Sequence, residues 1–235
     1  MNISLCHFGD NCAPGILIDD ILKQNKKFLF MLGGYDFNNI LNYLNDNNYE
    51  KIYSKEYLII QADNIVHHTL YKFSFNHEYE VKFNRLTNYD FIKQRFDLKI
   101  KNFREMLSSN NVCVFITFTG DVDNLKIGEM LQWLKRNKPK FHLIIYTNNS
   151  YTATNNFNNV TIVKLQNSYN DWWQLPKPQQ IILYKEIFDE FINCLNIHNI
   201  TNNLPKVFEH TYYFTNLISQ LNAPRLQPRI TQNKV

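Results

Sequence analysis

Long hydrophobic runs are missing from this chain of 235 residues. Its longest apolar stretches, 57–60 and 112–118, fall far short of the ~18–20 residues needed to cross hydrocarbon, so no membrane span is expected. No secretory signal is expected either, because the first residues carry no positive charge and Asp10 interrupts any apolar stretch. Glycine is scarce, with 6 residues, and there is no Gly-rich phosphate loop and no zincin or kinase signature. Cys6, Cys12, Cys113 and Cys194 contain no C-x-x-C spacing, which argues against a zinc site or a redox pair. They read as reduced thiols in a cytosolic setting. Neither sign of charge dominates. With 25 basic and 21 acidic residues, a net charge of +4 does not imply nucleic acid as a partner. The basic groups Lys99, Lys101, Arg104 and Lys135, Arg136, Lys138, Lys140 read as solvated helix faces or ends rather than phosphate tracks. Nothing in the sequence calls for a cofactor or a metal.

What is present describes a packed protein. Hydrophobic residues make up 44% and aromatics 15% of the chain, too many for disorder. Asparagine is over-used, in runs such as Asn155-Asn156 and Asn158-Asn159, which reads as the mark of an A/T-rich coding genome, as in a large DNA virus or a protist. No internal repeat or convincing linker occurs, so a single domain is expected over 1–223, followed by a loose basic tail over 224–235.

Periodicity places strands at 2–8, 112–118, 141–146 and 160–165, and helices at 13–24, 37–44, 90–107, 125–136 and 179–193. Strand, helix, strand in that order implies parallel pairing through crossovers. The expected fold is α/β: a largely parallel central sheet flanked by helices, with a β-rich insertion around 53–83. Within that insertion, strands are expected at 58–60, 69–75 and 79–83, with Asn76-His77 as a turn.

The most informative stretch is Gly9-Asp10-Asn11-Cys12, where a strand gives way to a helix. A thiol at a helix start meets unpaired N–H groups that favour thiolate, and the same groups can hold an oxyanion. A buried inert thiol is the plainer reading of Cys12. Asp121 and Asp123 follow the strongest strand, the position where open α/β sheets place ligands. His67 and His68 are adjacent on a strand and so face opposite ways, which disfavours a shared metal and suggests one buried and one exposed ring. His7 is a second-choice base with a structural role at the strand end as its alternative. Trp172 and Trp173 read as loop anchors or as a stacking surface.

Ser4-Leu5 with Gly9-Asp10-Asn11-Cys12 resembles the S-L-G-x-x-C opening of a family of papain-like cysteine peptidases. Gly34-Tyr35-Asp36-Phe37 resembles that family's G-P-F-D-W box, and Phe75-Asn76-His77-Glu78-Tyr79 its H-D-F element. The helix carrying Arg95, Lys99 and Phe103 is similar to the arginine-rich helix that follows, and 112–118 takes the place of the family's next strand. The likeness runs in order over roughly residues 2–149. It departs from the family by inserting Cys6-His7-Phe8, by lacking Pro and Trp in the second box, and by placing Glu78 for Asp, Thr117 for Arg and Lys99 for a helix arginine.

The resemblance implies a thiol nucleophile at Cys12 and a histidine base at His77, acting on a peptide or other acyl bond. An acceptor on the second ring nitrogen would fix the tautomer. Asp36 matches a family motif and is the first choice, with Glu78 and Asp90 as alternatives. Gly9, Asp10, Asn11, Glu78 and Asp121 are the candidate substrate contacts. A papain-like label also implies a helix packed on an antiparallel barrel, against the parallel sheet that the alternation predicts. Two other readings stand beside this one. One is a Rossmann-like nucleotide- or sugar-binding transferase that uses the Gly9 turn and the Asp121 loop. The other is a non-catalytic interaction protein that keeps the fold.

Overall fold

The structure, a computed structural model, describes residues 3–9, 28–30, 37–61, 64–75, 78–118, 124–147 and 159–164, with 176, 179, 182, 186 and 189. Four strands form its centre: β1 (Ile3–Gly9), β7 (Val112–Phe118), β8 (Phe141–Thr147) and β9 (Val160–Lys164). They lie in the order β1-β7-β8-β9, and every pair is parallel. The fold is α/β, as the alternation predicts. The near-continuous apolar sequence of β7 places it inside the sheet, between β1 and β8.

Alternation along each strand sorts the side chains onto two faces. Cys6, Phe8, Cys113, Phe115, Leu143 and Ile145 share one face, and Leu5, His7, Val114, Ile116, Ile144 and Tyr146 the other. Both sets are buried, so water is excluded from each side of the sheet. The first face carries an aromatic cluster. The Phe8 ring lies 5.3 Å from Phe30, 4.8 Å from Phe115 and 6.4 Å from Phe103, and each such pair contributes about 0.5–1.5 kcal/mol beyond area burial.

Three helices reach that cluster: α1 (Phe37–Asp46), α2 (Tyr89–Ser108) and α3 (Asn124–Asn137). Tyr43 of α1 packs on Phe30, Phe103 belongs to α2, and Trp133 of α3 stacks on Phe103 while its indole N–H donates to the Leu44 carbonyl. Helix α3 is the crossover between β7 and β8.

The insertion is β-rich, with corrected strand positions. A three-stranded antiparallel sheet joins β2 (Leu58–Ile60), β3 (Val66–His68) and β4 (Ser74–Phe75), followed by the hairpin β5 (Val81–Lys82) and β6 (Arg85–Leu86). The strand expected at 69–75 is a turn over 69–71 that leads into the two-residue β4, and Lys72 adopts a left-handed φ of 57°. The strand expected at 79–83 shrinks to β5, because Phe83 and Asn84, with φ of 49° and 57°, close a two-residue hairpin.

The basic groups do not act as solvated faces throughout. Lys99 is buried with its ammonium 5.1 Å from the Phe96 ring centre. Lys138 is buried too: its Nζ donates to the carbonyls of Met106 and Ser109 at 2.8 and 2.5 Å and to the Ser109 hydroxyl at 3.0 Å. It closes the carboxyl end of α2, where carbonyls lack helical partners.

Candidate functional site

All four parallel strands point the same way, so their carboxyl ends form one edge of the sheet. Gly9 ends β1 and Phe118 ends β7, and these two residues are register partners. The chain therefore enters the segments that hold Cys12 and Asp121 from two adjacent strand ends. Beside them, the Phe118 and Tyr146 rings stack at 4.9 Å and 17° on the face that also carries His7.

Helix α2 ties the insertion to the same edge. The Met106 sulfur is 3.2 Å from the Cys113 sulfur, near the start of β7, whereas Phe103 touches Phe8 near the end of β1. Moving toward the amino end of α2 thus means moving toward the carboxyl edge. Phe96 lies a further seven residues along, about 10 Å of helix, and Phe75 packs on it at 5.9 Å. Strand β4, whose last residue is two positions before His77, packs on α2 through Phe75.

Of the first-choice catalytic residues and substrate contacts, Gly9 and Glu78 are among the described ones. Cys12, His77, Asp36, Asp10, Asn11 and Asp121 lie outside them, as do Asp123, Trp172 and Trp173. Glu78 follows β4, half-buried, and its carbonyl accepts a hydrogen bond from the Asn88 amide at 3.3 Å. Asp90 is exposed in the first turn of α2.

Two thiols are located. Cys6 and Cys113 are fully buried on one face of adjacent strands. Burial pushes both pKa values up, and the neighbouring Cys113 adds to the rise at Cys6. Both are therefore neutral and shielded from reagents.

His7 is not at the surface of a site. It points into the sheet's second face with no exposure, and burial lowers its pKa to about 3. The Phe30 backbone lies close enough to offset a little of that shift, yet neither ring nitrogen makes a hydrogen bond of good geometry. An imidazole held neutral so firmly is a poor proton acceptor, which leaves His7 its structural reading.

The paired histidines separate as strand geometry requires. His67 is half-buried, with its Nδ1 3.0 Å from the Ser74 hydroxyl. His68 is buried, its Nε2 2.8 Å from the Lys51 carbonyl and its Nδ1 3.1 Å from the Tyr71 backbone nitrogen. No sequence pattern signals that His68 joins three segments, because its hydrogen-bond partners on Lys51 and Tyr71 are backbone atoms. Among the described residues, no group of three His, Cys, Asp or Glu side chains could hold a metal, and no helix is long and apolar enough to cross a membrane.

No protein-family model, curated protein or solved structure matches this chain.

Proposed function

We propose that the chain is a cysteine-dependent acyl hydrolase or transferase, with its site at the carboxyl edge of the parallel sheet. In this reading Cys12 is the nucleophile, His77 takes its proton, and Asp36 orients the imidazole. The thiolate attacks an acyl carbon, and backbone N–H groups between Gly9 and Cys12 hold the resulting oxyanion. The observation that supports it most is the register pairing of Gly9 with Phe118. It starts the Cys12 and Asp121 segments side by side at the edge where α/β proteins bind their ligands.

The protein supplies its own controls for the test. Cys6 and Cys113 are buried with raised thiol pKa values, so iodoacetamide should label Cys12 well ahead of both. The rate should follow an apparent pKa within the ~3.5–7.5 range of activated thiols rather than the free value of ~8.5. Cys12→Ala should remove that labelling and any esterase activity while the urea midpoint stays nearly unchanged. Labelling of Cys12 with an unshifted pKa, or no faster than in urea, would reject the nucleophile. The parallel sheet also favours a second reading, a nucleotide- or sugar-binding transferase. A thermal shift with nucleotide sugars, in a protein whose Cys12 has an ordinary pKa, would select it.

A further inference from the structure

His68 is one of the joints between the insertion and the body of the protein, and it works through a single imidazole. Its two hydrogen bonds define its protonation state. Nε2 faces the Lys51 carbonyl at 2.8 Å and must carry a hydrogen. Nδ1 faces the Tyr71 N–H at 3.1 Å and must be bare. The ring is further stacked on Tyr71 at 4.8 Å and 21° and lies 5.5 Å from Tyr57. One neutral ring thus joins the 3-10 turn Tyr49–Tyr53, strand β3 and the turn between β3 and β4.

We propose that His68 is an acid-sensitive clasp, closed when its ring is neutral and opened by a proton on Nδ1, which turns the acceptor for Tyr71 into a second donor facing a donor. Opening frees the turn over 69–72 and with it β4, the strand that leads to His77. That last consequence rests on the proposed catalytic reading; the clasp itself does not.

The surrounding charges do not stabilise an imidazolium strongly. Lys51 pairs with Asp46 at 2.8 Å, and the Tyr71 hydroxyl donates to the same carboxylate. That carboxyl is held below its usual range by Lys51 first and Tyr71 second. Glu56 is engaged with Tyr57, while Phe73 and Phe75, the other rings against His68, carry no charge. Burial lowers the His68 pKa, and the bond to the Lys51 carbonyl restores only part of it. The folded state therefore binds the proton less readily than the open state, whose histidine has its ordinary pKa of ~6.5. Clasp stability is complete above that value and is lost as pH falls below it.

Amide hydrogen exchange tests the clasp on the intact chain. The Tyr71 protection factor, corrected for the intrinsic rate, should fall about tenfold per pH unit below ~6.5, until the folded-state pKa of His68 is reached. The Ile116 amide in β7 should keep a larger protection factor than Tyr71 at every pH, because its exchange needs the sheet itself to open. His68→Gln, which retains one donor and one acceptor but does not titrate, should make the Tyr71 protection nearly independent of pH. If that variant does not fold, a side-chain NMR titration of His68 in the wild type decides: a pKa below ~6.5 that coincides with Tyr71 release supports the clasp. A wild-type Tyr71 amide that stays protected while His68 titrates would overturn it, and so would equal protection factors at Tyr71 and Ile116 across the range, which would make the release a global event. Iodoacetamide labelling of Cys12 separates the two proposals. Tyr71 release without any change in Cys12 rate, relative to His68→Gln, keeps the clasp and removes its link to the site.

Discussion

The parallel sheet and the insertion over 58–86 use similar residues and are held in different ways. In the sheet, Cys113 through Thr117 and Leu143 through Tyr146 are all shielded from water, and stability comes from burial on two faces. In the insertion, strands are two or three residues long, too short to organise themselves. There Phe73 and Phe75 are buried against Phe30 and Phe96, and the remaining joints are polar: Tyr71 hydroxyl to Asp46 at 2.8 Å, the Asn88 side chain to Glu78 and Glu80 at 3.3 and 2.8 Å, and the His68 clasp. Burial tolerates exchange among apolar residues of similar size. A polar joint depends on one donor meeting one acceptor, so single side chains decide the shape of the insertion.

The contrast breaks most visibly at Phe8. Its ring is fully buried and touches Phe30, Phe103 and Phe115, so it joins the sheet to α2. Phe8→Ala should cost about 3–5 kcal/mol and lower the urea midpoint of the whole protein, with sheet and insertion unfolding together. A loss below about 1 kcal/mol would mean that the cluster is not the shared core.

The same comparison explains how far the sequence could be read. The continuous run of 112–118 allows only a strand buried on both faces, and 141–146, observed as Phe141–Thr147, follows it for the same reason. The helix expected at 90–107 and observed at Tyr89–Ser108 was legible because its core face repeats at helical spacing. The run 69–75 misleads because Thr, Tyr and Phe favour strands wherever packing permits. Its turn contains no glycine, and the left-handed position falls on Lys72. The Tyr71 amide bonding to the His68 ring, three residues away, marks that turn, and no sequence pattern encodes it. The candidate site divides along another line. Gly9 ends β1, where the sequence predicts a strand closed by glycine, but the partner of Cys12 depends on distances between segments, which motif order does not supply.

Acidity sharpens the contrast with a smaller effect. His7 is buried in the sheet and held neutral, with its pKa lowered to about 3, whereas the unfolded chain binds a proton below ~6.5. Because the unfolded state holds more protons in that window, stability is intact above pH ~6.5 and declines as pH falls toward 3. At pH 5 the loss from His7 is about 2 kcal/mol. Denaturation at pH 7 and pH 5 should show it as global unfolding, in contrast to the local release at His68. His7→Met should flatten the dependence while His68 keeps a residue of the same sign. An unchanged pH slope in that variant would remove His7 as the cause.

The smallest effect lies at the tip of the insertion. Phe83 and Asn84 occupy both left-handed positions of a two-residue hairpin, with φ of 49° and 57°, and Phe83 is 99% exposed. A bulky side chain is disfavoured there because its Cβ approaches the following carbonyl, at about 1–2 kcal/mol, and no packing offsets that cost. Asparagine tolerates the same backbone far better. Phe83→Asn should therefore raise stability by about 0.5–1 kcal/mol, read as a small increase in the urea midpoint with an unchanged slope. The base of the hairpin should be unaffected, since the Thr87 amide bonds to the Glu80 carbonyl at 3.0 Å and the Asn88 side chain accepts from the Glu80 amide at 2.8 Å. The same change in the sheet, at Phe115, should instead destabilise by several kcal/mol, because it would bury an unpaired amide where a ring now packs. If Phe83→Asn destabilises the protein, the tip ring is held by a contact that its full exposure does not reveal, and the insertion is less dependent on local geometry than its polar joints imply.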